Sequence, residues 1–120
     1  MRLNNDCIRE ILLYIEENTT YTKSAINVDN LVNNLNYDEE TIFYHVSLIS
    51  QANLVDRVTF ADNRPFFISK LSWEGHQYID NIRDTKAWTF IKSKTEKLSS
   101  ISLSLLIQLA PELIKQYLLQ

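Results

Sequence analysis

Apolar residues recur along this chain with two different periods. Ile8, Ile11, Leu12 and Ile15 repeat at the spacing of one helical face. They predict a helix over about residues 4–18, started by Asn4, Asn5 or Asp6 and ended by Asn18-Thr19-Thr20. A polar connector runs from Thr19 to Asn27. Val28, Leu31, Val32 and Leu35 repeat the stripe over a short second helix, about 28–36. Asn36-Tyr37-Asp38 breaks the pattern, and Asp38 is a good N-cap for a third helix, about 38–52, that buries Ile42, Val46 and Ile49. Two short helices joined by a tight polar turn form a helix-turn-helix.

After Ala52 the period changes. Asn53 tolerates the left-handed conformation that ends helices. Two runs rich in Val, Thr, Phe and Ile follow, about 54–60 and 65–71, around the turn Ala61-Asp62-Asn63-Arg64. They predict a β-hairpin, with Pro65 where a strand can begin. Helical spacing then returns. Ser72 can cap a fourth helix holding Tyr78, Ile79 and Ile82, and Trp88, Ile91, Thr95 and Leu98 continue after a break near Asp84-Thr85. The last stripe is Leu103, Leu106, Ile107, Ala110, Leu113, Ile114, Tyr117 and Leu118. Pro111 inside it deletes a backbone donor, so a kink or a division is expected there. The expected fold is mainly α with a small β-hairpin: a winged helix-turn-helix in residues 1–71, then a helical extension, 72–120, packed on it as one structural unit.

Composition narrows the function more than the fold. The 120 residues are 45% hydrophobic, enough for a core without metal or disulfides. Cys7 is the single cysteine, so no internal disulfide and no CxxC metal pair can form. The start of the chain lacks the apolar segment of a signal peptide. The most apolar stretch, Ile101 to Leu119, is interrupted by Ser, Gln, Pro, Glu and Lys, so no membrane span is expected and a cytoplasmic location is. A metal site would need His45, His76 and Cys7 to converge, and no local spacing favours that. No nucleophile sits beside a base and an orienting acid. Gly75 is the lone glycine, which excludes a glycine-rich phosphate loop. The expectation is a binding protein with no cofactor, not an enzyme.

Two resemblances sharpen this. His45-Val46, Leu48-Ile49 and Ala52-Asn53-Leu54-Val55 resemble the recognition-helix end of bacterial winged-helix repressors of the arsenic-repressor type, with Asn53 in place of a glycine. Leu71-Ser72-Trp73-Glu74-Gly75 resembles the Leu-Thr-x-x-Gly segment that follows the wing in such regulators. Over its full length, including Met1-Arg2-Leu3, Ile8-Arg9-Glu10-Ile11-Leu12, Trp73-Glu74-Gly75-His76 and Asp80-Asn81-Ile82-Arg83-Asp84, the chain is similar to a domain family of phages and prophages of low-GC bacteria. That family carries no assigned biochemical activity and so no site residues to transfer. What the resemblance implies is a winged-helix regulator.

On that reading Thr41, Tyr44, Ser47 and Gln51 of the third helix would face double-stranded DNA, and Arg57, Arg64 and Lys70 of the wing would anchor phosphates. Charge opposes it. The net charge is -3, and from Ser24 to Asp56 the chain carries Asp29, Asp38, Glu39, Glu40 and Asp56 with no Lys or Arg. The helix dipole gives these acids a structural role, yet they still repel phosphate. A second basic group, Arg83, Lys86, Lys92, Lys94 and Lys97, reads as a solvated helix face paired with nearby acids. Trp73, Tyr78, Trp88 and Phe90 read as core or subunit contacts. The last helix carries more apolar surface than one small domain hides. Leu103, Leu106, Ile107, Leu109, Leu113, Ile114, Tyr117 and Leu118 are therefore expected at a homodimer or partner interface. Two functions stand: a dimeric DNA-binding regulator, or a protein-interaction module on a winged-helix scaffold that does not bind DNA.

Overall fold

The structure, a computed structural model, describes residues 1–96 and 101–120. Helix α1 (Asn5–Asn18) starts where the Asn4 side chain accepts hydrogen bonds from the Asp6 and Cys7 amides. Strand β1 (Ala25–Asn27) leads into the short helix α2 (Asp29–Asn34), and α3 (Glu39–Gln51) follows from its Asp38 cap. Strands β2 (Val58–Ala61) and β3 (Arg64–Ser69) form the wing. Helices α4 (Trp73–Ile82), α5 (Thr85–Thr95) and α6 (Leu103–Leu119) complete the chain.

The expected fold class holds, with four local corrections. The connector from Thr19 to Asn27 contains β1, which pairs antiparallel with β3 and makes a three-stranded sheet in the order β1-β3-β2. Only Ile26 of β1 is buried, and its partner Ile68 lies far along the chain, so no local period announces the strand. Helix α2 is shorter than expected, because the chain turns extended at Leu35, φ -107° and ψ 155°, where the Leu35 side chain still packs on the core.

The wing strands are shorter at their outer ends than the predicted 54–60 and 65–71. Leu54 and Val55 are core residues, but the Leu54 amide bonds the Ile49 carbonyl and the Asn53 amide bonds that of Ser50. With Asn53 at φ 58°, this is the 6→1, 5→2 closure of a helix C-terminus. Leu54 is thus spent on ending α3, and only an isolated Val55–Leu71 bridge continues the pairing. At the other end Asp62 and Asn63 both adopt positive φ, 53° and 61°, the two-residue turn that matches strand twist.

Helix α6 is one unbroken helix through Pro111, so the expected division does not occur. Leu106, Ala110 and Leu113 lie on one buried face on both sides of the proline, while Pro111 is exposed. Packing secures residues on both sides of the proline, and the carbonyl left without its amide donor is that of Ile107.

One hydrophobic core runs from α1 through α3 and the sheet to α4, α5 and α6. Polar contacts fix the helices around it. Arg9 donates to the Ile82 and Arg83 carbonyls and so closes the end of α4. The Trp88 indole donates to the Asp6 carboxylate at 2.7 Å and Lys92 reaches the same group at 3.1 Å, tying α5 to the start of α1. Tyr78 and Trp88 lie in the core as expected, and Phe90 packs on Tyr117, with ring centroids 5.5 Å apart. Trp73 departs from a core role: it is 75% exposed on the first turn of α4. Among the described residues no helix is long and apolar enough to cross a membrane.

Candidate nucleic-acid interface and wing groove

Helix α3 divides into two faces. Ile42, His45, Val46 and Ile49 are buried. The 100° step per residue puts Glu40, Tyr44, Ser47 and Gln51 on the opposite face, with Thr41 and Phe43 on its two flanks. Of the residues expected to meet DNA, Tyr44, Ser47 and Gln51 therefore form one outward row and Thr41 lies beside it. Gln51 is exposed, while Thr41, Tyr44 and Ser47 are half-buried. The Ser47 hydroxyl donates to the Phe43 carbonyl at 3.1 Å, so it is partly committed to its own helix.

His45 is a structural residue. It is 1% exposed, its Nδ1 faces the Thr41 carbonyl at 2.8 Å, and its Nε2 accepts the Asn4 amide at 2.8 Å. The proton therefore sits on Nδ1, and the ring anchors the start of α1 to α3. The Cys7 thiol is buried, and burial, reinforced by the Glu10 charge, pushes it up to about 12. A thiol held neutral in that way is a poor nucleophile and a poor ligand. Among the described residues no three His, Cys, Asp or Glu side chains assemble as a metal site.

The wing's three cations have unequal surroundings. Lys70 is paired with Asp56 at 2.6 Å. Arg64 lies 3.9 Å from Glu39 of α3, with its guanidinium 5.9 Å from the centroid of the Phe43 ring. Arg57 is exposed and makes no ion pair among the described residues. Its backbone is pinned by Ser69, whose hydroxyl accepts the Arg57 amide at 2.8 Å. The expected basic wing is thus partly neutralised from within, and Glu39 is the residue that sequence reasoning did not connect to Arg64.

Between α3, the start of α2 and the wing tip lies an open groove of about 530 Å³. Asp29, Glu39, Asp62, Phe43, Phe66 and Arg64 line it. Asp29 and Glu39 stand at the starts of two helices and Asp62 in the hairpin turn, so nothing along the chain marks them as neighbours. At the start of α3 hydrogen bonds from the Thr41 side chain and the Thr41 amide hold the Asp38 carboxyl below the usual range.

The residues expected at an oligomer interface are not one surface. Leu103, Leu106 and Leu113 are buried in the chain's own core, which corrects their assignment to a partner contact. Tyr117 faces inward against Phe90. The helical step places Ser104, Gln108, Glu112 and Lys115 on the outward face of α6, so this helix is amphipathic. Ile107, Ile114 and Leu118 share one flank, Leu109 lies on the other, and of these only Leu118 is strongly exposed, at 71%. The other basic group is paired only in part, since Lys86 and Lys94 make no ion pair among the described residues. Arg83 binds Glu16 and Asp80, which raise its basicity, and Lys92 binds Asp6; Lys97 and Leu98 lie outside the described residues.

A helix-turn-helix of α2 and α3, backed by α1 and flanked by a three-stranded sheet with a β2–β3 wing, defines a winged-helix arrangement. Within that class the chain belongs to the family described as hypothetical protein DUF2513, whose model matches residues 2–102. The match ends immediately before α6. No curated protein and no solved structure matches the chain.

Proposed function

We propose that the protein is a winged-helix DNA-binding regulator of the cytoplasm, in a phage or prophage setting, with no catalytic step of its own. One observation carries the reading: the outward row Tyr44, Ser47 and Gln51 of α3 stands beside a wing with Arg57 and Arg64 exposed, on a helix-turn-helix scaffold. In that frame α3 enters the major groove, Thr41 and Gln51 reach phosphates or base edges, and the wing arginines contact the backbone of a flanking groove. The phage setting rests on the resemblance of the full-length sequence pattern. Homodimerisation, which would present two copies of α3 to a two-fold operator, has the Ile107, Ile114 and Leu118 flank of α6 as its surface.

A second reading is a protein-interaction module that does not bind DNA. It is favoured by the wing's own neutralisation, since Lys70 is held by Asp56 and Arg64 by Glu39. Fluorescence anisotropy of a random-sequence duplex, titrated at low and physiological salt, separates the two. The DNA reading expects binding that weakens steeply with salt, a loss in Arg64→Glu for every sequence alike, and a gain of about threefold in Glu39→Gln, which frees Arg64. Absence of binding at low salt refutes it and leaves the interaction module.

A further inference from the structure

The groove between α3 and the wing tip has a chemistry that duplex DNA does not match. Asp29, Glu39 and Asp62 bring three carboxylates to it, against the one guanidinium of Arg64. The same groove exposes aromatic surface, with Phe66 44% exposed and the half-buried Phe43 beside Arg64. Each acid has a local explanation: Asp29 and Glu39 sit in first turns of helices, and Asp62 in a left-handed turn position. Those roles account for the residues singly, but not for their convergence on the exposed Phe66 ring and the half-buried Phe43 in one concavity. Folding gains nothing from leaving such rings open to water.

We propose that this groove binds a basic, extended segment of a partner protein, seating an arginine or lysine side chain with its stem along Phe43 and Phe66 and its charge among the three carboxylates. Charge complementarity selects this occupant: a phosphate backbone meets net negative charge here, and a cationic peptide meets attraction. The chain itself shows the mode of binding. The Arg64 guanidinium already lies 5.9 Å from the Phe43 centroid and 3.9 Å from Glu39. That internal contact is loose, since the Arg64 and Glu39 side chains are 66% and 51% exposed, so an incoming guanidinium can displace it. The inference stands apart from DNA binding, because Arg64 acts in opposite senses in the two: it is an anchor for phosphate and a competitor for the peptide.

The test is an amide-detected NMR titration of the full chain with the peptide acetyl-Gly-Arg-Ser-Arg-Gly-amide, beside the same peptide carrying citrulline, the neutral isostere. The expected result is saturable shifts at Asp29, Glu39, Phe43, Asp62 and Phe66, with Kd on the order of 1 mM or tighter and none with citrulline. Asp29→Asn with Glu39→Gln and Asp62→Asn should weaken binding about tenfold, and Arg64→Ala should tighten it severalfold. Each variant's own spectrum reports whether it is folded, and Arg64→Ala, an exposed wing position, carries the test if the triple variant is not. Equal shifts with the citrulline peptide, shifts centred elsewhere, or none at saturating peptide overturn the proposal. So does a duplex that shifts the same groove resonances, which would assign the groove to nucleic acid. Loss of DNA affinity in Arg64→Ala with unchanged peptide affinity keeps the DNA reading and removes this one.

Discussion

Replacing Gly75 with alanine would place a methyl carbon 1.9 Å from the Leu54 carbonyl oxygen, 2.9 Å from its carbon and 3.3 Å from Leu71 Cβ. The nearest obstacles are backbone, so no side-chain rotation relieves the clash, and the start of α4 must retreat by more than ~1 Å to restore ordinary contact. The retreat strains two bonds at once: the Ser72 amide donates to the Leu54 carbonyl at 3.1 Å, and the Ser72 hydroxyl donates to the Asn53 carbonyl at 2.6 Å. Alanine gains about 1 kcal/mol in helix propensity. Against it stand about 1–3 kcal/mol for overpacking and roughly 1 kcal/mol for each hydrogen bond lost. The net expectation is a destabilisation of about 2–4 kcal/mol, or a fall in Tm of about 10 °C for a domain of this size. Urea unfolding followed by circular dichroism measures it, with the slope m compared to confirm that the unfolded reference is unchanged. A Gly75→Ala protein as stable as the parent, or more stable, would refute the close approach of α4 to Leu54.

Three further outcomes follow from other contacts. Burial pushes the Asp6 carboxyl up, but the hydrogen bonds from Trp88 and Lys92, with the charges of Lys92 and Arg9, outweigh it and hold the group below the usual carboxylate value of 3.8. A carboxylate lowered by folding contributes stability above its unfolded pKa and loses it as pH falls through the folded pKa. The stability gap between parent and Asp6→Asn should therefore close on acidification below about pH 4, and a gap independent of pH would count against the contact. His45→Phe keeps an aromatic ring, though a larger one, but leaves the Asn4 amide without its acceptor; a cost of at least about 1–3 kcal/mol is expected, with faster hydrogen exchange at the start of α1, and normal protection there would contradict the anchor. Leu106→Ala should cost about 2–5 kcal/mol at every protein concentration, because Leu106 is 1% exposed within its own chain. A cost that vanished on dilution in sedimentation and unfolding experiments would return that residue to a subunit interface.

The sequence by itself determined what local periodicity and local chemistry can carry. The stripes of α1, α3 and α4 each bury one face, and the caps Asn4, Asp38 and Ser72 act within a few residues of themselves, so both were legible before any fold was known. The Asn53 helix end and the Asp62-Asn63 turn were legible for the same reason: the left-handed backbone there selects residue types directly. Tertiary structure alone decided the rest. Strand β1 exists because Ile26 meets Ile68 across the sheet, and three residues hold too little pattern to announce it. The α6 stripe looked like an interface because a sequence does not show what covers it; α4 and α5 supply that cover, and Leu103, Leu106 and Leu113 are spent on it. The wing groove is the clearest case. Asp29, Glu39, Asp62 and Arg64 are scattered along the chain, and their charges sum into one surface only after the turn between α2 and α3 and the hairpin bring them together. Coulomb interactions depend on distance in space, which a list of residues does not contain.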